Sequence, residues 1–277
     1  MSDAQNLLGV AVEAARMAGE RLARRARAGA ETSVSSKSTP TDLVSEADVD
    51  SERAIRELLR ERRPHDGFVG EETEVARETG DSGYSWVVDP LDGTVNFVFG
   101  IPQWSVSVAV RDARGTVAGA IYDPNRDELF CAYRDGPARL SGSEGESELR
   151  GRVRAVTPST SASSEHALAA AMVATGLYYD ARVREAQGKV LERLVGRVRD
   201  IRRFGSAALD LAWTAMGRYD AYFERGVKQW DIAAGALICE RAGLSVRELP
   251  EQHDLPWGIL VAPDELIEPL FELVAGA

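Results

Sequence analysis

Residues 86–97 read WVVDPLDGTVNF. A dry run, Trp86-Val87-Val88, has the composition of a buried strand. It drives straight into Asp89-Pro90-Leu91-Asp92-Gly93-Thr94. Two carboxylates at the end of a buried strand are costly unless something positive meets them. Pro90 fixes φ and removes a backbone donor. Gly93 permits a tight turn and lets a ligand approach the backbone. If a helical turn starts at Asp92-Gly93-Thr94, its free N–H groups form an anion site. Thr94 adds a hydroxyl that can orient a water or pass on its proton.

Other acids bound apolar elements in the same way. Glu71 follows Phe68-Val69-Gly70, and Asp231 sits behind Trp230 at the start of an apolar helix. An N-cap explains one such Asp cheaply, but not Asp89 and Asp92 together. Two carboxylates about 4 Å apart repel by roughly 4 kcal/mol at an effective dielectric near 20. Several can converge only around cations. Oxygen donors without His or Cys favour hard ions, Mg²⁺ first, then Mn²⁺ or Ca²⁺, and Mg²⁺ takes substrate phosphate as a ligand. Asp48 lies seven residues before Ile55 and shares its inward helix face. Capping and the helix dipole are one reason for it; holding Thr94 as the second member of a relay is another. An EF-hand loop from Asp89 fails, because its sixth and twelfth positions are Thr94 and Gly100. In an aspartyl-phosphate motif of the DxDGT type one residue separates the acids; two do here, so Asp89 is poorly placed as that nucleophile, while a purely structural Asp92-Gly93 turn remains the plain alternative.

Composition narrows the class. The chain has 277 residues, of which 44% are hydrophobic, enough for one large domain or two lobes sharing a core. No apolar run approaches the roughly 20 residues of a membrane span, and MSDAQNLLGV does not resemble a secretory signal. Cys131 and Cys239 are too few for a disulfide framework and read as buried thiols of a cytoplasmic protein. His65, His166 and His253 are scattered with no metal spacing. The net charge of −11 argues against nucleic acid or anionic membrane as partner. It leaves a phosphate substrate open, because a bound cation inverts the local field.

Periodicity predicts helices over 5–28 and from Ser45 to about Arg62, with Ser45 as N-cap. Strands are expected at 85–89, 105–110, 116–122 and 128–134. Residues 31–41 read as a loop or irregular hairpin, 141–151 as a loop at a lobe boundary, and 157–165 as a polar stretch. In the second half, 167–174 reads as a buried strand, 183–198 and 206–217 as helices, and 219–224 as a strand. Residues 231–242 read as a buried helix, 258–261 as a strand, and 264–275 as a helix that Pro269 kinks or shortens. The division expected is an N-terminal α+β lobe over 1–145 with most of the metal ligands, and a C-terminal α/β lobe over 146–277 with Trp230-Asp231.

Gly70-Glu71-Glu72, Asp89-Pro90-Leu91-Asp92-Gly93-Thr94 and Trp230-Asp231-Ile232-Ala233-Ala234-Gly235, in this order, resemble the inositol monophosphatase family of Mg²⁺-dependent, lithium-sensitive phosphatases. Thr41-Asp42-Leu43-Val44 ahead of Asp48, and Gly205-Ser206-Ala207-Ala208, fit as well. The resemblance implies a layered αβαβα sandwich of the inositol monophosphatase and fructose-1,6-bisphosphatase type, and a homodimer. It implies two or three Mg²⁺ ions, with Mn²⁺ as substitute, on Glu71, Asp89, Asp92, Asp231 and the Leu91 carbonyl. Glu71 and Thr94 would position the attacking water, with Asp48 behind Thr94, and the N–H groups of Gly93 and Thr94 would hold phosphate. Gly205, Ser206, Ala207 and Glu224 would face the alcohol. The implied reaction is in-line hydrolysis of a small phosphorylated polyol or sugar by metal-activated water. Inositol 1-phosphate is favoured because Glu224 suits polyol hydroxyls. Histidinol phosphate and fructose 1,6-bisphosphate are the alternatives, and an RNA or transcription accessory protein is the non-catalytic rival. Lys228 meets either a second anionic group or solvent.

Overall fold

The computed structural model describes residues 2–29, 34–36, 43–73, 80–151 and 164–275. Thr41 and Asp42, and 157–163 of the polar stretch, lie outside them. Helix α1 (Asp3–Ala28) is followed by a two-stranded hairpin, β1 (Val34–Ser36) and β2 (Leu43–Ser45), and helix α2 (Glu46–Arg62). Then come β3 (Gly67–Gly70), β4 (Ser85–Asp92), a short helix α3 (Thr94–Val98), β5 (Ser105–Asp112), β6 (Gly115–Asp123), β7 (Glu128–Tyr133), β8 (Arg139–Gly142) and β9 (Gly145–Glu148). The rest comprises α4 (Ser164–Ala170), β10 (Met172–Thr175), α5 (Ala181–Val195), β11 (Asp200–Arg202), α6 (Ala207–Ala215) and β12 (Ala221–Arg225). It closes with α7 (Gln229–Arg241), β13 (Ser245–Leu249), β14 (Gly258–Ala262) and α8 (Asp264–Val274).

Strands β3 to β9 form one sheet in chain order, with β3 parallel to β4 and every later pair antiparallel. The second sheet runs β11-β10-β12-β14-β13, with β10 parallel to both its neighbours. Because side chains alternate across a strand, each sheet serves two cores. Trp86, Val88, Val106, Val108 and Val110 pack under α1 and α2 with Leu7, Leu22 and Ile55. Val87, Ala109 and Ile121 face the other way, onto Leu209 and Leu211 of α6 and Leu237 and Ile238 of α7. Tyr222, Ile259 and Val261 of the second sheet reach the same core from the far side. Ala221, Phe223 and Leu260 point outward to Leu194 of α5 and Leu266 and Leu270 of α8. The layers are therefore α, β, α, β, α, and burial on both faces explains why Trp86-Val87-Val88 of β4 is apolar without alternation.

Two glycines illustrate how close the middle layer lies. A Cβ on Gly119 of β6 would stand 2.7 Å from Cα of Ala234 in α7. Gly119→Val should therefore push α7 off the sheet and cost about 1–3 kcal/mol. Gly9 of α1 has nothing within 4 Å of the same added atom, so Gly9→Ala should stabilise by about 0.5–1 kcal/mol. Urea unfolding of the two variants reads the difference; equal stability would contradict the close helix–sheet contact.

Several expectations change. Residues 167–174 are not one strand: α4 ends at Ala170 and β10 begins at Met172. The alanine-rich run favours helix, and only Met172-Val173 onward brings strand character. The loop expected at 141–151 overlaps the β8–β9 hairpin, turned at Gly145 with φ of 103°. The hairpin is polar because it forms the sheet's edge, with β9 exposed throughout. Strand β4 continues past Asp89 to Asp92 with a register shift between the two acids, where Pro90 cannot donate. Helix α8 carries Pro269 inside it and still reaches Val274.

Candidate active site

The parallel pairing of β3 with β4 sets the centre of the site. Gly70 is in register with Val88, and the Glu71 N–H donates to the Val88 carbonyl at 3.2 Å. Glu71 therefore leaves its strand beside Asp89. Across the sheet Asp89 pairs with Ser107 of β5, whose hydroxyl donates to the Trp230 carbonyl at 3.3 Å. That bond ties the first turn of α7, and so Asp231, to the same place. Asp231 accepts the Lys228 N–H at 2.7 Å, closing its helix end.

Asp92 is held by the next helix. It accepts from the Ser206 hydroxyl at 2.5 Å, from Ala208 N–H at 2.8 Å and from Ala207 N–H at 3.2 Å, all at the start of α6. Ser206 and Ala207 thus reach the site by fixing Asp92, while Gly205 lies against Gly93, whose φ is 97°. Asp89 accepts the Leu91 N–H at 3.0 Å. Ser51 holds the irregular turn by donating to the Pro90 carbonyl at 2.9 Å.

Thr94 and Asp48 form a buried pair. The Thr94 hydroxyl is 2.7 Å from Asp48 Oδ1 and 3.1 Å from the Leu91 carbonyl. Asp48 is fully buried, and its other oxygen accepts from the Ser45 N–H at 2.9 Å and the Ser45 hydroxyl at 2.6 Å. Asp48 makes both contacts at once: one oxygen completes the capping box of α2, and the other accepts from the Thr94 hydroxyl.

Negative charge is concentrated here. No Lys or Arg pairs with Asp89, Asp92 or Asp231 among the described residues. Burial, and then the charges of Glu71, Asp92 and Asp231, push the Asp89 carboxyl far above the usual range; it also shares a hydrogen bond with Glu71. Burial and the charge of Glu71 raise Asp231 likewise. Burial lifts Asp92 to about 6, against the lowering effect of the Ser206 and Ala208 hydrogen bonds. Glu71, Asp231 and Glu224 keep part of their surface open to solvent. Among the described residues no three acids, His or Cys are already drawn into a cage around an ion. The donor set nonetheless fits a hard cation: every candidate ligand is oxygen, and neighbouring acids raise the pKa of Asp89 and Asp231 as like charges do.

Glu224 ends β12 on the other side. Tyr222 donates to it at 2.9 Å, and burial pushes it up to about 7. A Cβ on Gly176 would fall 2.0 Å from its carboxylate, so only glycine leaves room there. Lys228 is exposed.

Two further residues shape the site. Glu52, 2% exposed, accepts the Glu72 N–H at 2.8 Å, and a Cβ on Gly70 would meet its carboxylate at 2.3 Å. It thereby fixes the turn that carries Glu71. Its signal lay in the sequence, one helical turn beyond Asp48 on the same face. Asn96 donates to the Gln103 and Phe204 carbonyls, each at 2.7 Å, and joins α3 to the segment before α6.

Similarity to known proteins extends over nearly the whole chain. The model of the "Inositol monophosphatase family" matches residues 3–274. The inositol-1-monophosphatase SuhB of Mycobacterium tuberculosis is 42% identical over 217 residues, covering 77% of this chain and 71% of that protein. The Nus factor SuhB of Pasteurella multocida is 40% identical over 258 residues, covering 92% and 90%. Among solved structures, the extragenic suppressor protein suhB of Bartonella henselae superimposes with a TM-score of 0.81 at 34% identity, covering 97% of this chain and 98% of that one. With the family matched from end to end and the five layers shared, the chain belongs to the inositol monophosphatase family and is a phosphoric monoester hydrolase, in a family that is generally Mg²⁺-dependent.

Proposed function

We propose that the chain hydrolyses small phosphorylated polyols, with inositol 1-phosphate as its first substrate. The observation that carries this reading is the meeting of Glu71, Asp89, Asp92 and Asp231 beside the Thr94–Asp48 pair, with Glu224 opposite. In this reading the four acids and the Leu91 carbonyl hold two or three Mg²⁺ ions, which Mn²⁺ can replace. Bound Mg²⁺ supplies Lewis acidity to the phosphoryl group and to the departing oxygen.

The chain's own residues do the rest. Gly93 and Thr94 offer N–H groups to the phosphate. Glu71 and the Thr94 hydroxyl orient a water in line with the ester bond. As the water oxygen bonds to phosphorus and the ester P–O bond breaks, the water's proton passes to the Thr94–Asp48 pair. The departing alkoxide takes a proton from solvent. Glu224, titrating at about 7, presents either an acceptor or a donor to the polyol hydroxyls at neutral pH. The proposal includes a homodimer.

Phosphate release from inositol 1-phosphate, fructose 1,6-bisphosphate and histidinol phosphate tests the reading. Release should be fastest in kcat/KM from inositol 1-phosphate, stop with EDTA and return with Mg²⁺. Absence of release from all three would sink it. A second reading, an accessory role in transcription, is favoured by one observation: some relatives carry the name Nus factor. Tight RNA binding by a chain without phosphatase activity would put that reading first.

A further inference from the structure

Glu224 is anchored at one oxygen and free at the other. It follows Tyr222 by two residues in β12, so both side chains leave the same face of the sheet. Tyr222 is fully buried, and its hydroxyl donates to Glu224 Oε2 at 2.9 Å. Glu224 itself is half-buried, and among the described residues its Oε1 accepts no hydrogen bond.

The neighbouring strand fixes the carboxylate from the side. β10 runs parallel to β12 with Thr175 in register with Phe223, which brings Gly176 beside Glu224. A Cβ on Gly176 would stand 2.0 Å from Cδ and Oε1 of Glu224 and 2.1 Å from Oε2. The whole carboxylate thus fills the space that a side chain at 176 would take. A glutamate has several rotatable bonds, and ordering them at substrate binding weakens affinity. Here they are ordered at folding, by one hydrogen bond and one close backbone contact.

We propose that Tyr222 and Gly176 are positioning residues that hold Glu224 with Oε1 as an acceptor for a hydroxyl of the leaving alcohol, and so set a preference for polyhydroxylated alcohols over those without a hydroxyl. This rests on the phosphatase reading, in which Glu224 faces the alcohol. The phenol also bears on the charge of Glu224. Burial raises that carboxyl to about 7; the Tyr222 hydrogen bond and then the Arg203 charge lower it, and Asp92 raises it. Asp210 of α6 and Asp231 of α7 interact with it as like charges. Removing the Tyr222 hydroxyl takes away a donor that favours the ionised, accepting form, so Glu224 should titrate higher.

The test compares kcat and KM of the Mg²⁺-loaded enzyme on inositol 1-phosphate and on p-nitrophenyl phosphate, whose leaving group has no hydroxyl for Glu224. Tyr222→Phe should lower kcat/KM for inositol 1-phosphate about 3- to 10-fold, chiefly through KM, as loss of one hydrogen bond does. The fall on p-nitrophenyl phosphate should be smaller. The acid limb of the inositol 1-phosphate profile should move to higher pH, and that of the other ester should stay. Gly176→Ala should give the same split between the esters with the phenol intact. In a Glu224→Ala background, Tyr222→Phe should change inositol 1-phosphate kcat/KM by less than about twofold, because the group it positions is gone. An equal fall on both esters, no fall on inositol 1-phosphate, or a full further fall in the Glu224→Ala background overturns the inference alone. Should Tyr222→Phe fail to fold, Gly176→Ala alone and in the Glu224→Ala background carries the same comparison. An unsubstituted enzyme that releases phosphate from neither ester overturns the phosphatase reading and this inference with it.

Discussion

Asp89→Asn is expected to lower kcat about a thousandfold while the fold remains intact. One ligand of a Lewis-acid site contributes several kcal/mol to the transition state, and each 1.36 kcal/mol is tenfold. The amide keeps the acceptor for the Leu91 N–H, so the turn has no reason to change. Stability should move the opposite way. Without metal, burial and the neighbouring acids raise the carboxyl pKa values in the folded state. A group whose folded pKa is the higher one contributes most at low pH, and its contribution is lost as pH rises through that value. Asp92 alone, lifted from 3.8 to about 6, removes about 3 kcal/mol between pH 4 and pH 7. In EDTA the parent protein should therefore become less stable from pH 5 to pH 8. Asp89→Asn should recover part of the loss, at roughly 2–4 °C in Tm per kcal/mol. Differential scanning calorimetry in EDTA and in Mg²⁺ reads both effects. Unchanged turnover, or a metal-free protein that gains stability with pH, would remove Asp89 from the proposed role.

The second large effect belongs to Thr94. Replacing it with Val should reduce kcat about a hundredfold with little change in KM, the usual worth of a positioned proton acceptor. Thr94→Ser should stay close to the parent. Because Thr94 is one of the donors to the buried Asp48 carboxylate, Val also leaves that oxygen short of a partner and should cost about 1–3 kcal/mol. Asp48 itself is a poorer probe, since its other oxygen caps α2. Steady-state kinetics beside urea unfolding separates the two consequences. A Val variant with unaltered kcat would rule out the Thr94 relay.

Where local chemistry decides structure, the sequence was legible. The dry run into Asp89 is a strand end, Gly93 takes the left-handed conformation, and Ser45 with Asp48 forms a capping box. Where the decision is made at long range, reading stopped short. Nothing between Phe68 and Trp86 announces that β3 and β4 run parallel, yet that pairing sets Glu71 beside Asp89. Ser206 and Ala207 were read only as facing the alcohol; the bonds of their hydroxyl and N–H to Asp92 follow from where the α6 N-terminus meets the β4 carboxylate, which the sequence does not announce. The β8–β9 hairpin was missed because edge strands need no apolar face. Glu52 could have been found by extending the Asp48 face by one turn.

The placement of α7 in the middle layer has a kinetic consequence. Its Asp231 meets Glu71 and Asp89 only after β3, β4 and β5 have assembled and the helix has docked between the two sheets. A cation held by these acids, as in the proposed site, would bind only where all of those elements have come together. It should act as a latch on the native state, slowing escape from it far more than it hastens arrival.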